Sequence, residues 1–367
     1  MKTIGIIMEC NPFHQGHQYL LETARTQCQA DAVVVVMSGD YVQRGEPAIC
    51  SKYARAEKVL QAGADLVLEL PTYIACGGAA YFAGGAVTLL KELGIVDTLV
   101  FGSECGDLNR LRKVAETLLL EPEAFSFTLQ EALSQGDSYA AARAKALGAD
   151  FGPNDTLGIE YLRAIRKSGS SMEAIAIPRI TCESASDIRS RWTADKKADE
   201  NLPFPILTTD DFSEALHFRL HEVSDYAEYW DVSEALAHKI RAALPSFAGW
   251  DAFCQALKSR DLTYTRISRA LLHILLGIRT ADVKDYLAVG GVGFARVLGL
   301  RKSAAALTAA LKEHATVPLI TRLGSADPLP APFDRMLAAD IRCAEFYESK
   351  LASPLVREAE RMLLTIP

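Results

Sequence analysis

Two histidines follow the first apolar run of the chain, with a glycine between them. The run from Thr3 to Met8 leads into Glu-Cys-Asn-Pro-Phe-His-Gln-Gly-His, which contains His14, Gly16 and His17, and a helical stretch begins at about Gly16. At a strand-to-helix turn, both imidazoles lie beside backbone N–H groups where free donors and the helix dipole favour an anion. The pattern predicts a phosphate site, with Gly16 letting a ligand approach the backbone and Pro12 stiffening the turn.

Two other interpretations of these histidines stay open at this stage. A histidine near a helix start commonly caps the helix or packs in the core. Cys10, His14 and His17 could also ligate zinc, although no fourth ligand stands at a recognisable spacing. Two histidines flanking one glycine at a strand end are rarer by chance, so we favour the phosphate site and expect no protein-held metal.

The composition is that of an ordinary globular protein. The 367 residues include 39 Lys and Arg against 46 Asp and Glu, for a net charge of -7, and 49% are hydrophobic. This excludes disordered and collagen-like chains, and the length predicts two domains. Because the average is mildly acidic, any RNA binding needs a local basic surface. The eight scattered cysteines, and the lack of a recognisable signal peptide or membrane span, lead us to expect a cytoplasmic protein with reduced thiols.

Strands alternate with helices in the first half of the chain, which predicts an α/β fold with a Rossmann-like, doubly wound parallel sheet. Ligands of such sheets bind at the carboxyl ends of the strands, where the histidine motif lies. The predicted strands are Thr3 to Met8, Ala32 to Met37, Asp65 to Leu70, Thr98 to Gly102 and Glu173 to Ile177.

A polar stretch from Thr193 to Pro203 interrupts all periodicity and is the best linker. We therefore predict a nucleotide-binding catalytic domain over residues 1–195 and a second, mainly α-helical domain over residues 205–367. Helical spacing in the second part covers Asp210 to Val223, Val232 to Ala243, Ile267 to Leu276, Ala304 to Glu313 and Phe333 to Ser349.

Several motifs resemble those of a known family. The segment from Asn11 to His17 resembles the H-x-G-H signature of the nucleotidylyltransferase superfamily, whose members split ATP between its α and β phosphates. The chain as a whole resembles the bacterial tRNA(Met) cytidine acetate ligase family. That likeness rests on MSGDYVQRGEPA from Met37, DLVLELP from Asp65, FGSE from Phe101, SASDIR from Ser184, YTR from Tyr264 and ARVLG from Ala295.

The resemblance implies an ATP-dependent ligase with a nucleotidylyltransferase-type fold. Such an enzyme would activate acetate as acetyl-adenylate and transfer the acetyl group to N4 of the wobble cytidine in the anticodon loop of elongator tRNA(Met). Mg²⁺ is expected with ATP, because the leaving pyrophosphate needs neutralising. Two alternatives remain: a small-substrate adenylyltransferase of the same superfamily, and a non-catalytic nucleotide- or RNA-binding protein.

By the same resemblance, His14 and His17 would be catalytic. The implied ATP-binding residues are Ile7, Met8, Glu9, Cys10, Asn11, Pro12, Phe13, His14, Gln15, Gly16, His17, Gln18, Tyr19 and Leu20, with Gly102, Asn154, Arg179, Ser186 and Arg189. The implied tRNA contacts are Tyr264, Arg266, Arg296, Arg301 and Lys302, because an aromatic ring can stack on a base while Arg and Lys hold phosphates.

Most of these residues also have a plain structural interpretation. Gly102 could be a strand-end turn, Asn154 a helix cap and Arg179 half of a surface salt bridge. We expect Ser186 to cap a helix that faces the phosphates, with Arg189 one turn along it. The loop from Gln43 to Pro47 is either a solvated turn or a substrate loop, with Lys52 and Arg55 as anion contacts beside it.

Overall fold

A computed structural model describes residues 1–195, 205–351 and 356–367 of the chain. Within these residues the centre of the molecule is an eight-stranded sheet, and a separate two-stranded hairpin consists of β3 and β4. The strands are β1 (Thr3–Met8), β2 (Ala32–Ser38), β3 (Tyr41–Val42), β4 (Glu46–Pro47), β5 (Leu66–Leu70), β6 (Thr98–Ser103), β7 (Glu173–Pro178), β8 (Ala295–Arg301), β9 (Leu319–Ile320) and β10 (Leu364–Ile366).

The helices surround this sheet and build most of the second half. They are α1 (Gln15–Cys28), α2 (Lys52–Gln61), α3 (Thr72–Ala75), α4 (Ala79–Glu92), α5 (Leu108–Leu120), α6 (Glu123–Ser134), α7 (Tyr139–Leu147), α8 (Pro153–Ser168), α9 (Ala185–Asp195), α10 (Ser213–Glu222), α11 (Glu234–Ala243), α12 (Trp250–Leu257), α13 (Tyr264–Leu276), α14 (Thr280–Ala288), α15 (Ala305–His314) and α16 (Phe333–Glu348). Short 3₁₀ turns cover Thr209–Phe212, Tyr226–Glu228, Leu244–Ser246, Leu323–Ser325 and Glu358–Glu360.

The predicted parallel sheet is confirmed. The sheet order is β10-β8-β5-β2-β1-β6-β7, and β1, β2, β5, β6 and β7 run parallel to their neighbours in that group. All residues of β1, β2 and β5 are buried. In β2, Val34 and Val36 pack into one core layer while Val33 and Val35 pack into the other. Because both faces are covered, these strands are continuous apolar runs.

The second half of the chain also contributes strands to the central sheet, which the sequence did not indicate. β8 pairs antiparallel with β5, and β9 and β10 pair parallel with β8. An antiparallel edge strand supplied from far along the chain leaves no βαβ pattern for sequence analysis to detect. The division at residues 195–205 stays a prediction about domains, and most of the predicted linker, residues 196–203, lies outside the described residues.

The five helical stretches predicted after residue 205 are confirmed, since α10, α11, α13, α15 and α16 fall on them. All eight cysteines are free thiols, as expected. Among the described helices, none is long and apolar enough to cross a membrane.

Candidate active site

A cavity of about 410 Å³ opens at the carboxyl ends of β1, β6 and β7. It is lined by both histidines of the motif and by most of the predicted ATP-binding residues; of that set, Pro12, Phe13, Gln15 and Gln18 do not line it. Residues that the prediction left out also line it, among them Gln43, Arg44, Phe82, Phe101, Leu157, Tyr161 and Ser184. The parallel sheet thus brings the predicted residues together at the edge where such folds bind ligands.

The turn after β1 is held from behind by Arg55. Cys10 adopts the left-handed conformation with φ 52°, and the Asn11–Pro12 peptide is cis. Left-handed backbone at a non-glycine residue persists only where surrounding contacts determine it. Arg55 is 1% exposed, and its guanidinium donates to the carbonyl oxygens of Glu9, Ser38, Gly39 and Cys50. Arg55 therefore stabilises the turn by binding backbone carbonyl groups at the strand ends. It is not the anion contact considered from the sequence.

The two histidines cap helix α1 together. Nδ1 of His14 accepts a hydrogen bond from the backbone N–H of Gly16 at 3.0 Å, and Nδ1 of His17 accepts one from the backbone N–H of His14 at 3.2 Å. This is a reciprocal capping box in which imidazoles replace the usual hydroxyl and carboxylate. Their ring centroids lie 4.0 Å apart. The capping role is therefore compatible with the phosphate role predicted for the same side chains.

The capping hydrogen bonds determine which nitrogen of each ring carries the proton. A ring nitrogen that accepts from an N–H carries no proton, so the neutral imidazole must carry its proton on Nε2. Burial lowers the pKa of His14, and the charge of Arg179 lowers it further. Burial lowers the pKa of His17 well below its ordinary value, with His14 and Arg179 adding to the effect. At neutral pH both rings are uncharged and present Nε2–H donors.

Gly16 is needed for the histidines themselves and not only for ligand approach. A Cβ at this position would lie 2.8 Å from Cε1 of His14 and 3.2 Å from Sγ of Cys182. Such distances are closer than carbon atoms tolerate, so any side chain would displace the His14 ring. The sequence predicts that Gly16 lets a ligand approach the backbone. In the structure, the lack of a side chain at Gly16 is needed first to make room for the His14 ring.

The structure gives no support to the zinc interpretation of Cys10, His14 and His17. Nδ1 of each histidine is occupied by a backbone N–H, and Sγ of Cys10 contacts Sδ of Met8 at 3.6 Å. Within the described residues there is no group of three or more His, Cys, Asp or Glu side chains that could hold a metal ion.

Asn154 and Arg179 share one carboxylate, that of Glu104. Glu104 accepts from Nδ2 of Asn154 at 2.6 Å and lies 3.3 Å from NH1 of Arg179. Burial raises the pKa of Glu104, but hydrogen bonds from Asn154 and Asp155 outweigh it and hold the pKa below its ordinary value. A Cβ on Gly102 would meet only Cγ of Arg179, at 3.6 Å, so the strand end is open toward the cavity.

Asp155 is an organising residue that the sequence analysis missed. It is 2% exposed and accepts hydrogen bonds from the backbone N–H groups of Glu104 and Cys105 and from the Ser103 hydroxyl. Glu104 in turn accepts from the N–H groups of Asn154 and Asp155 at the start of α8. The loop after β6 and helix α8 therefore cap each other, which fixes Gly102 and Asn154 at the cavity.

Helix α9 begins at Ala185, two residues earlier than a cap at Ser186 would place it. Ser184, and not Ser186, accepts from the N–H of Asp187 at 3.1 Å and donates to its carboxylate at 2.7 Å. Ser186 is exposed in the first turn and lines the cavity. Arg189 is half-buried, donates to the carbonyl oxygen of Asn11 at 2.7 Å and also lines the cavity. The predicted phosphate residues therefore face the histidine motif.

The loop from Gln43 to Pro47 forms the β3–β4 hairpin at the cavity edge. Its residues Gln43 and Arg44 line the cavity, and Arg44 is exposed. The N–H of Gln43 donates to Oε1 of Glu9 at 2.7 Å, which ties the hairpin to the end of β1. Lys52, proposed as an anion contact, is 1% exposed and pairs with Glu69 at 2.8 Å, so it is not available to a ligand.

Arg296 is buried and does not offer tRNA a surface. It is 5% exposed, and its guanidinium lies 2.5 Å from Glu358 and 3.3 Å from Glu69. Lys52 joins the same cluster through Glu358 at 2.6 Å. The predicted contact between Arg296 and tRNA is therefore not supported. The basic side chain instead neutralises two carboxylates that the fold buries.

Arg301 and Lys302 lie away from the cavity. Because β8 runs antiparallel to β5, Arg296 is opposite Glu69 near the cavity edge, whereas Leu300 is opposite Leu66 at the far edge. Arg301 donates to the carbonyl oxygens of Leu60 and Ala64 after α2, and Lys302 is exposed. Neither side chain is placed to meet a base that enters the cavity.

Helix α13 is the predicted tRNA segment that does adjoin the cavity. The hydroxyl of Ser268 donates to the carbonyl oxygen of Gly45 at 2.7 Å, and a Cβ on Gly45 would overlap Arg269. The helix therefore packs directly on the hairpin. At its start, the Tyr264 hydroxyl donates to Asp251 at 2.5 Å, and Arg266 is exposed.

Comparison with known proteins gives a consistent result. The family model described as HIGH Nucleotidyl Transferase matches residues 1–361. A tRNA(Met) cytidine acetate ligase of Acetivibrio thermocellus is 34% identical, and the match covers 98% of this chain and 97% of the relative. One from Syntrophotalea carbinolica is 36% identical and covers 88% of this chain and 85% of the relative.

The fold also matches solved structures. The crystal structure of Thermotoga maritima TmcAL bound with alpha-thio ATP superposes with a TM-score of 0.89 at 27% identity, and covers 100% of both chains. The apo form of the same protein superposes with a TM-score of 0.90 at 26% identity over the same coverage.

Proposed function

Because the chain belongs to the HIGH nucleotidyl transferase family and, within it, to the tRNA(Met) cytidine acetate ligases, we propose that it ligates acetate to tRNA(Met) at the expense of ATP. ATP binds in the 410 Å³ cavity, acetate is activated as acetyl-adenylate, and the acetyl group passes to N4 of the wobble cytidine. The observation that carries the proposal is the pair of neutral histidines whose Nε2–H groups are left as donors at the start of α1.

In the first step an acetate oxygen attacks the α phosphorus, a new O–P bond forms, and pyrophosphate leaves with the electron pair of the broken bond. Little covalent help from protein is needed, since position and charge stabilisation lower most of the barrier. His14 and His17 donate from Nε2 to oxygens of the α phosphate. Arg179 and the start of α9, with Ser186 and Arg189, receive the β and γ phosphates.

Mg²⁺ would accompany the nucleotide. Among the described residues no cluster of carboxylates or histidines fits a protein-held metal, so no residue is assigned to it. When bound, the ion would neutralise the leaving pyrophosphate.

In the second step the amine of the wobble cytidine attacks the acetyl carbonyl carbon and AMP leaves. The base must be turned out of the anticodon loop to reach the cavity. The approach runs past the β3–β4 hairpin and α13, where Arg44 and Arg266 are exposed and Tyr264 offers a ring. Residues 1–195 supply the nucleotide site in this scheme, and residues 205–367 supply the tRNA contacts. The reaction is placed in the cytoplasm, where its tRNA substrate is found.

Labelled acetate tests the proposal directly. The protein, ATP and Mg²⁺ are incubated with labelled acetate and an unmodified tRNA(Met) transcript, and a matched transcript carrying uridine at the wobble position serves as control. Label in N4-acetylcytidine from the first transcript alone supports the ligase. Transfer of AMP to a small phosphorylated acceptor without label in tRNA would instead support the adenylyltransferase alternative, and ATP binding with no reaction would support a binding protein.

A further inference from the structure

Resting on the proposed function, we propose that one corner of the cavity is the cytosine pocket and sets the specificity for an amine-bearing base. This base corner consists of Glu9, Asn11 and Gln43, which line the cavity, and of Glu46 in β4, which lies 3.8 Å from the lining residue Arg189. In it the carboxylate of Glu46 accepts from the base amine, while the amide of Asn11 donates to an acceptor on the ring. The remaining part of the cavity, around the histidines and Arg179, is left for ATP.

The base corner contains buried polar atoms that make no hydrogen bond, one of which is in an ion pair with Arg189. Nδ2 of Asn11, Nε2 of Gln43 and Oε1 of Glu46 are all buried without a hydrogen bond. Asn11 as a whole is only 3% exposed. Buried polar groups are nearly always hydrogen-bonded, and three exceptions around one cavity corner indicate that a ligand supplies the missing partners.

These atoms belong to the end of β1 and to the β3–β4 hairpin, and polar contacts connect both segments with each other or with α9. The NH1 group of Arg189 donates to the carbonyl oxygen of Asn11 at 2.7 Å, and its Nε lies 3.8 Å from Oε1 of Glu46. Glu9 holds the N–H of Gln43 at 2.7 Å. The end of β1, the hairpin and α9 therefore meet at the base corner, and Glu9, Asn11, Gln43 and Arg189 all line the cavity.

The orientation of the Asn11 amide is fixed. Its Oδ1 accepts from the backbone N–H of Ile49 at 2.8 Å, so Nδ2 is the free donor. Burial raises the pKa of Glu9 and of Glu46, so each carboxyl gains from a ligand that donates hydrogen bonds. The corner thus combines a fixed donor with carboxyl acceptors.

Cytosine carries the complementary set. Its edge presents an amine donor beside two acceptors, N3 and O2, whereas uracil presents an acceptor and an N–H donor at the corresponding places. Acetate fits less well, because the carboxylate of Glu46 already offsets the charge of Arg189, and because acetate has no hydrogen to donate to Glu46 or Glu9. A neutral base that both donates and accepts is the ligand that satisfies all the unpaired atoms.

The test uses both half-reactions. Acetate-dependent ATP–pyrophosphate exchange reports the first step, and acetylation of tRNA(Met) reports the second. We expect Glu46→Ala to lower the ratio of acetylation to exchange at least about tenfold, as the loss of a base-reading contact does. Glu116→Ala makes the same change at an exposed position of α5 and serves as the matched control. Gln43→Ala is the second variant, should Glu46→Ala fail to fold.

Inhibition of the wild type by free nucleosides tests the same proposal without any variant. Cytidine should inhibit acetylation by the wild type at a concentration at least about tenfold below that of uridine. No difference between the nucleosides, including inhibition by neither, overturns the inference. So does a parallel fall of exchange and acetylation in Glu46→Ala, which would place acetate or ATP at this corner. Failure of the proposed function is distinguishable, because the wild type would then neither exchange with acetate nor label tRNA.

Discussion

The Nδ1 atom of His17 accepts a hydrogen bond from the backbone N–H of His14 at 3.2 Å. Together with the bond from Gly16 to His14, it closes the first turn of α1 and leaves Nε2–H of each ring as a donor. One side chain thus holds the turn with one nitrogen and is free to bind phosphate with the other. The imidazole must be neutral for this, because a protonated ring has two donors and no acceptor nitrogen.

The two roles of His17 can be separated by substitution. His17→Asn keeps an acceptor oxygen near the position of Nδ1 but removes the donor at Nε2. We expect acetate-dependent exchange to fall about 10²–10³-fold, as on removal of one transition-state donor, while the thermal midpoint changes little. His17→Ala should lose exchange and also about 1 kcal/mol of stability, as loss of a cap does. Equal thermal midpoints for the two variants would contradict the capping role.

Stability should depend on pH through the same pair. In the folded protein the pKa of His14 and of His17 lies below the ordinary 6.5, chiefly because of burial. Below about pH 6.5 the unfolded chain therefore binds protons that the folded chain does not. The free energy of unfolding is at its full value above that pH and falls as the pH drops toward the folded pKa values.

Urea unfolding at pH 7.5 and 5.5 measures this loss. The double variant His14→Asn with His17→Asn keeps the acceptors but cannot titrate, so it should lose less stability between the two pH values than the wild type does. An equal loss in both proteins would show that these histidines are not the source.

Gly16→Ala should damage the site without unfolding the protein. The new Cβ would lie 2.8 Å from Cε1 of His14 and must displace that ring, so we expect exchange to fall at least about tenfold. Gly84→Ala is the matched control: it lies within α4, nothing lies within 4 Å of its Cβ, and alanine there should stabilise by about 0.5–1 kcal/mol. Unaltered exchange in Gly16→Ala would refute the packing argument.

Arg296→Ala should lower the free energy of unfolding. Removing this guanidinium leaves two buried carboxylates, Glu69 and Glu358, with the single charge of Lys52 between them, and the uncompensated charge costs about 3–5 kcal/mol. Lys302→Ala, at an exposed position, should stay within about 0.5 kcal/mol of the wild type. Urea titration of both variants measures the difference. A stable Arg296→Ala protein with weakened tRNA binding would restore the original expectation for this residue.

Arg266→Ala should weaken tRNA binding. The side chain is exposed at the start of α13, beside the hairpin. Loss of one phosphate contact worth about 1 kcal/mol raises the dissociation constant for tRNA about fivefold and reduces its salt dependence by about one charge. Lys302→Ala, equally exposed but at the far edge of the sheet, is the control and should change neither. Equal effects of the two variants would argue against an approach past α13.

The sequence predicted those parts of the site that depend on local pattern. The strand before His14, the helix after it and the parallel sheet follow from short-range periodicity, and the structure has them where expected. Long-range pairings carry no local signal. The partners of Arg296 lie at Glu69 and Glu358, and β8 joins the sheet as an antiparallel edge strand, so the sequence could not distinguish a buried cation from a surface one.

Helix caps were predictable only in part. Ser184 precedes α9 and Ser186 lies in its first turn, and residue type alone does not decide which hydroxyl accepts from the N–H of Asp187. Asp155 was missed because its three hydrogen bonds go to a loop about fifty positions earlier in the chain. Both residues are identified only by three-dimensional contacts.

We propose that neutral His17 stabilises the reacting phosphate of ATP during activation of acetate. The most direct test is ATP–pyrophosphate exchange with and without acetate, measured for the wild type and for His17→Asn at matched thermal stability. The account predicts exchange that requires acetate in the wild type and a fall of about 10²–10³-fold in the variant. Exchange that persists undiminished in His17→Asn, or wild type that binds ATP and shows no exchange with acetate, would contradict it.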